Sequence, residues 1–412
     1  MTNLDEKDTP VPAPPQKSEH KAWYRKLEKT LGAIERSQDV TRMLSEALVS
    51  IVRDFHEELG IVGGRLYERK GSRYILTHQT GKSRAPIGYK IPIHYAPIKK
   101  LIESGYLLMR ESDPGFDPRI EKVMGVRVFA AILVGAEDEY AISFTLRGKI
   151  NEGRTSYALN TIRHVINLKL REQALVDLLL EAREIQISLL PKTQPKTKEF
   201  DIHGRSVPAE VVGGDLYDYI PVSEWTLGLA IADASGHGLP AALQARDVII
   251  GLRMGMVEDL KIVKTLEKLN RVINHSALAS KFVSLFYGEL DVNGNFIYSN
   301  CGHPPPLLYH REKFHELTEG GPVLGPSLGV RYMRGYVALR PGDVVVLYTD
   351  GLSEATDSAD VEFGTDRIRR LVAENAGRSA ADIVDRLFQA VQNYSGLTTP
   401  RDDQTVVVVK AR

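Results

Sequence analysis

The sequence predicts an α+β protein whose C-terminal half is an α-β-β-α sandwich, preceded by a smaller α+β domain and a long linking helix. Three observations lead there. The 412 residues exceed one domain of roughly 100–200 residues, so at least two cored units are expected. Tyr157 to Leu190 contains neither Gly nor Pro and repeats apolar residues every three or four positions. Beyond Pro191, apolar strand-like runs follow one another across short turns and alternate with amphipathic helical patterns, which favours antiparallel sheets covered by helices over a doubly wound parallel sheet.

Residues 1–20 hold four prolines among Asp, Glu, Lys and Ser and read as a disordered leader. Residues 21–156 mix element types. Met43, Leu44, Ala47, Ile51 and Phe55 fall on one helical face, while Gly64 to Glu68 and Tyr74 to Thr77 alternate as strands do. Phe129 to Gly135 and Tyr140 to Leu146, joined by Glu137-Asp138-Glu139, suit a hairpin. The linking helix is expected over 157–190, with Leu159, Ile162, Ile166, Leu178, Ala182, Ile185 and Leu189 as its apolar positions and Pro191 as its stop. Over 191–412, strands are expected at Trp225–Ala232, Phe282–Leu290, Phe296–Asn300, Pro306–Tyr309, Tyr336–Leu339, Val344–Tyr348 and Thr405–Val409. Helices are expected at 241–257, 262–279, 366–376 and 380–394, the last capped by Ser379.

Composition narrows the functional classes. Lys plus Arg and Asp plus Glu each number 53, so no global field is present to hold a nucleic-acid backbone or an anionic membrane. The residues before Pro191 carry 29 basic and 25 acidic side chains and the rest 24 and 28, a mild acidity in the C-terminal half. Cys301 is the single cysteine; this excludes an intrachain disulfide and a cysteine zinc cluster, and fits a reducing cytoplasm. The apolar run Phe129 to Ala136 is far short of the roughly 18 residues that span a bilayer. A cytoplasmic protein without nucleic-acid or membrane partners is expected.

Carboxylates recur at strand ends. Asp233 closes Leu229-Ala-Ile-Ala, Asp350 follows Val344 to Thr349, Asp402 and Asp403 precede Gln404 to Val409, and Asp215 follows Gly213-Gly214. Any one of these suits an ordinary turn; four together suggest loops that present chemistry from a rigid scaffold. If they converge, like charges about 4 Å apart repel by roughly 4 kcal/mol at an effective dielectric near 20, and the cluster needs cations. All-oxygen donors without Cys or an HExxH pair select Mg²⁺ or Mn²⁺.

Glu210-Val-Val-Gly-Gly-Asp215-Leu-Tyr-Asp218, Ala232-Asp-Ala-Ser-Gly-His-Gly238, Asn300-Cys-Gly-His-Pro304, Tyr348-Thr-Asp-Gly-Leu-Ser-Glu354 and Asp402-Asp-Gln-Thr405 occur in that order. From about residue 180 onward the chain resembles the metal-dependent protein phosphatases, and within them the bacterial SpoIIE/RsbU branch. The resemblance implies a phosphoserine/phosphothreonine phosphatase using two Mn²⁺ or Mg²⁺ ions, with a phosphorylated anti-sigma-factor antagonist as substrate. It implies Asp215, Asp233, Asp350 and Asp402 as catalytic metal-binding acids and the Ala234 carbonyl as a further ligand. Asp403 replaces Asp402 if the register shifts by one. Glu210, Asp218, His237 and Glu354 are candidates for supporting positions. His237 is a potential proton donor, although a His beside two glycines equally serves as a cap or packing residue; His303 is expected to hold the sandwich edge by a side-chain hydrogen bond.

Residues 30–156 resemble a GAF sensory domain in element order, which implies a small ligand or regulator there. The basic stretch Arg65, Arg69, Lys70, Arg73, Lys82 and Arg84 reads as a solvated face. The apolar stripe of the linking helix implies a homodimer that relays the state of the N-terminal domain. The rival readings are a phosphoprotein-binding scaffold without turnover, a pseudophosphatase, and less strongly a two-metal phosphodiesterase.

Overall fold

The computed structural model describes Arg25 and residues 39–82, 85–257, 261–275 and 282–412. The expected leader and Arg84 lie outside the described residues, as does the end of the helix expected over 262–279. The chain divides into two compact units, one ending at Asp177 and the other beginning at Leu178.

In the first unit, six antiparallel strands take the order β3-β2-β1-β6-β5-β4: β1 Ile61–Lys70, β2 Arg73–Gly81, β3 Lys90–Pro92, β4 Tyr106–Arg110, β5 Val128–Val134 and β6 Tyr140–Leu146. The helix Val40–Asp54 is capped by Asp39, whose carboxylate accepts from the Thr41 and Arg42 amides. It buries Met43, Leu44, Ala47 and Ile51 against one sheet face together with Ala158, Leu159, Ile162 and Ile166. A second core on the other face joins Tyr67, Tyr74, Ile98, Leu101, Met124 and Phe129. Alternation along β1 sends Arg65 to that second face with Tyr67. Arg65 is therefore 1% exposed rather than solvated, and its guanidinium donates to the Ser143 and Thr145 hydroxyls.

The long helix runs Glu152–Leu189, starting five residues earlier than the Gly-free pattern because Gly153 is accommodated in its first turn. Leu175, Leu178 and Ile185 are exposed on it, whereas Leu189 packs on the core of the second unit. No described helix is long and apolar enough to cross a membrane.

The second unit holds two sheets. One has the order β14-β11-β10-β9-β8, with β15 also on β11; the other runs β13-β12-β16-β17-β7. The strands are β7 Phe200–Val207, β8 Asp215–Ser223, β9 Thr226–Ala234, β10 Val283–Asp291, β11 Asn295–Cys301, β12 Leu307–His310, β13 Lys313–Glu316, β14 Gly320–Gly321, β15 Gly335–Ala338, β16 Val344–Tyr348 and β17 Gln404–Ala411. Alternation decides the layers. Leu229, Ile231, Phe286, Val345, Leu347, Val407 and Val409 fill the space between the sheets. The opposite faces are covered by helices Gly238–Val257 and Ile262–His275 on the first sheet and by Thr365–Asn375 and Ala380–Ser395 on the second. This is the expected α-β-β-α order.

Candidate metal and phosphate site

Asp215 opens β8 and Asp233 lies near the end of β9, where the two are register partners. Both occupy odd positions, the parity that Tyr217, Leu229 and Ile231 use to face the inter-sheet core. Two carboxylates thus stand at one end of the sandwich interior. From the other sheet, β16 ends at Tyr348 and leads through Thr349 to Asp350, the first residue of the short helix Asp350–Ser353. Beside it, Asp402 and Asp403 lead into β17, which pairs with β16.

The electrostatics tie these ends together. Burial, then Asp350, Asp402, Asp403 and Glu354, push Asp233 up to about 7. Burial and then Asp233 hold Asp215 well above the usual carboxylate range, with the Thr349 and Thr405 hydroxyls pulling the other way. Burial and the neighbouring Asp402 raise Asp350. Among the described residues no Lys, Arg or His pairs with Asp215, Asp233, Asp350 or Asp402.

The adjacent acids at 402 and 403 have different surroundings. Asp403 is buried; its Oδ1 accepts from the Ala209 amide at 2.7 Å and its Oδ2 from the Gly214 amide at 2.5 Å. Asp402 is exposed and accepts only locally, from the Asp403 amide at 2.8 Å. The loop before Asp215 must be glycine because the approach is so close. A Cβ on Gly213 would lie 2.5 Å from Asp403 Oδ2, and one on Gly214 would lie 2.7 Å from the Ala234 carbonyl oxygen. That carbonyl therefore stands directly beside the Gly214-Asp215 backbone.

The supporting candidates separate. Glu354 is exposed but close enough to Asp350 and Asp402 for both to raise its pKa, after burial. Glu210 and His237 meet on the rim, with Glu210 Oε1 3.0 Å from His237 Nδ1 and both side chains more than half exposed, so His237 is not a packing residue. Asp218 is not part of the cluster. Its even position on β8 turns it to the helix side, where the Arg253 guanidinium donates to both its oxygens at 2.8 and 3.0 Å. His303 is buried, with Nδ1 2.8 Å from Ser284 Oγ, and burial lowers its pKa to about 3, which keeps the ring neutral in the sandwich. Burial likewise pushes the Cys301 thiol up to about 12, fitting a packing role.

Three contributors were not singled out from the sequence. Thr349 donates to Asp215 Oδ2 at 2.7 Å; its odd position, following Val345 and Leu347, is the signal that would have found it. Gln186, near the end of the long helix, clasps the Gly213 peptide: its side-chain amide donates to the Gly213 carbonyl and accepts from the Gly213 N–H. Arg253 anchors Asp218 as above. Neither of the latter two has a local sequence signal.

Among the described residues no three His, Cys, Asp or Glu side chains converge closely enough to hold an ion as they stand. The fit to a metal is instead one of donor chemistry. The donors are all oxygen, they repel one another in a partly buried setting, and they have no basic partner among the described residues, which suits hard divalent cations.

The family model described as Stage II sporulation protein E (SpoIIE) matches residues 223–412, just under half of the chain; Asp233, Asp350, Asp402 and Asp403 fall inside the match and Asp215 outside it. The chain is 29% identical over 235 residues to phosphoserine phosphatase RsbU of Bacillus subtilis, spanning 56% of this chain and 69% of RsbU. It is 25% identical over 207 residues to phosphoserine phosphatase RsbP of the same organism, spanning 49% of this chain and half of RsbP. The solved SiaA-PP2C domain of Pseudomonas aeruginosa superposes with a TM-score of 0.52 at 21% identity, covering 59% of this chain and 99% of that domain, a likeness of fold. With the sandwich order and the acids at its end, the C-terminal unit has the fold of a PP2C domain and is similar over residues 223–412 to the SpoIIE family model.

Proposed function

We propose that this chain is a cytoplasmic, metal-dependent phosphoprotein phosphatase that hydrolyses phosphoserine or phosphothreonine, with residues 191–412 as catalytic domain. The supporting observation is that Asp215 and Asp233 of one sheet lie near enough to Asp350 and Asp402 of the other for Asp233 to feel both, mutually repelling and without a basic counterion among the described residues. These four side chains and the Ala234 carbonyl would hold two Mn²⁺ or Mg²⁺ ions, with Asp233 shared between them. Asp403 is assigned a structural part, because backbone amides occupy its oxygens. Bound there, the ions would supply Lewis-acid polarisation of the phosphoryl group and activation of water at neutral pH.

The protein's own part is to hold the acids in place and orient them. Asp403 draws the Gly213-Gly214 turn onto β17 and so places Asp215 opposite Asp233. Glu354 adds negative charge at the rim. Since Asp215, Asp233 and Asp350 are all held above their ordinary range, ion binding must displace protons from the set, which couples occupancy to pH.

The resemblance to the SpoIIE/RsbU branch directs the substrate assignment to a phosphorylated anti-sigma-factor antagonist. Control by residues 21–156, read as a GAF-like domain taking a small ligand or regulator, would pass along the helix expected over 157–190. Two observations support this. Gln186 grips the peptide two residues before Asp215, and Leu175, Leu178 and Ile185 are exposed as a partner helix in a homodimer would require.

The deciding measurement is phosphate release from phosphoserine and phosphothreonine peptides with Mn²⁺, with Mg²⁺ and with chelator. Turnover that depends on the metal is expected; equal rates in chelator overturn the reading. Peptide binding without release would identify a scaffold instead, and activity on a nucleotide diester alone a phosphodiesterase.

A further inference from the structure

Thr349 is 0% exposed and lies between β16 and Asp350. Its hydroxyl has one proton, and its two contacts determine where that proton goes. The Thr405 amide donates to Thr349 Oγ1 at 2.9 Å, so the hydroxyl acts as acceptor on that side. Asp215 Oδ2 lies 2.7 Å away and receives the proton in a hydrogen bond. Toward the ionised carboxylate the hydroxyl acts as donor, so Oδ2 is kept as an acceptor, and the Thr405 hydroxyl is a second group that acts on the same carboxylate. Thr349 therefore bridges the two sheets, joining an acid of β8 to the strand end that carries Asp350.

We propose that Thr349 is the positioning residue for Asp215: its hydroxyl selects which carboxylate oxygen faces the metal site and sets the span between the Asp215–Asp233 pair and Asp350. The proposal rests on the reading of Asp215 as a metal ligand. Three features support it beyond mere packing. The contact is between side chains and crosses from one sheet to the other. The Thr349 backbone is itself held, its amide donating to the Thr405 carbonyl at 3.1 Å, so the hydroxyl cannot drift. The backbone of Asp215 is drawn separately onto Asp403, through the Gly214 amide at 2.5 Å and more weakly through its own at 3.4 Å. Main chain and carboxylate are thus held by different residues of the opposite sheet, and removing the hydroxyl loosens the carboxylate while the Asp403 contacts to the Gly214 and Asp215 amides remain.

Groups that orient a metal ligand from behind typically change metal affinity by about 10–100-fold when removed. Thr349→Val keeps the shape and deletes the hydroxyl, while Thr349→Ser keeps the hydroxyl. In the full chain, Mn²⁺ binding is followed by the paramagnetic resonance of free Mn²⁺, and phosphopeptide kinetics are run at rising Mn²⁺. T349V is expected to bind Mn²⁺ about 10–100-fold more weakly, to recover kcat to within about threefold at saturating Mn²⁺, and to leave the peptide KM unchanged. T349S is expected to bind Mn²⁺ to within about threefold of wild type. Combined with Asp215→Asn, T349V should produce no further loss, since Thr349 acts through that carboxylate. If valine does not fold, Thr349→Ala, which leaves room for water, takes its place with the same expectations. Wild-type Mn²⁺ affinity in T349V, or equal impairment of T349S and T349V, overturns the proposal while leaving the phosphatase reading intact. A wild-type chain that binds no Mn²⁺ overturns both.

Discussion

Asp215 and Asp233 face one another as direct register partners on antiparallel β8 and β9. Opposed side chains in such a pair have Cβ atoms about 4.5–5.5 Å apart, and like charges there are destabilising. The fold accepts this cost at the one end of the sandwich where Asp350 and Asp402 add further negative charge.

A pH dependence of the metal-free protein follows. Asp233 is pushed up to about 7 in the folded state, whereas in the unfolded chain it has its ordinary value of 3.8. Between these values the folded state binds the extra proton, so this group's contribution to stability is full below about 4 and is lost as pH rises through 7. In chelator, the melting temperature of the C-terminal unit should fall over that window, and Asp233→Asn should flatten the slope. A wild-type and an Asn profile that run parallel would refute it.

With metal present, Asp233→Asn should lower kcat by a factor on the order of 10²–10³ or more, with an unchanged circular dichroism spectrum, because on the proposed reading it removes the charge that both ions would share, at nearly constant volume. Glu354→Gln should cost less than about tenfold, since Glu354 is exposed at the rim. Stopped assays with one phosphopeptide at saturating Mn²⁺ compare the two directly.

Adjacent acids should give opposite phenotypes. Asp403→Ala strands the Ala209 and Gly214 amides and is expected to destabilise the C-terminal unit by about 2–4 kcal/mol. Asp402→Asn should leave stability within about 0.5 kcal/mol while weakening the Mn²⁺ response. Urea unfolding alongside Mn²⁺ titration separates the effects; the reverse pattern would exchange the two assignments.

Arg253→Ala leaves Asp218 2% exposed and without its guanidinium. Removing one partner of a buried pair costs about 3–5 kcal/mol, reduced here to about 1–3 because Arg253 is half exposed and solvent screens it. Thermal melts should show this loss with the metal requirement unaltered, since Asp218 faces the helix side.

The last prediction concerns the long helix. A chain beginning near Lys192 lacks both the exposed Leu175, Leu178 and Ile185 and the Gln186 clasp. Light scattering should find it monomeric and the full chain dimeric, and the phosphatase rates of the two should differ. Gln186→Ala in the full chain should reproduce the change in rate without the change in mass. Identical mass and rate for full and shortened chains would remove both dimer and relay.

Local patterning determined much of this protein. A 3.6-residue period placed Met43, Leu44, Ala47 and Ile51 on the buried face of one helix, and consecutive strands across short turns predicted the antiparallel sandwich. Short Asp-bearing motifs at strand ends marked the site, because side chains alternate along a strand and a carboxylate just beyond an apolar run must emerge at a sheet edge. What the local pattern could not decide was long-range. Asp402 and Asp403 are chemically alike and adjacent; only the amides of Ala209 and Gly214, almost two hundred residues earlier, occupy one of them. Asp218 sits three residues from Asp215, yet strand parity turns it to Arg253. Leu189 continues the apolar stripe of Leu178 and Ile185 but is claimed by the core beneath it. Thr349 reaches Asp215 across 134 positions of chain. Periodicity records which face a residue takes within its own element, whereas a contact across two sheets depends on how those elements pack, and neither partner's neighbours in sequence encode it.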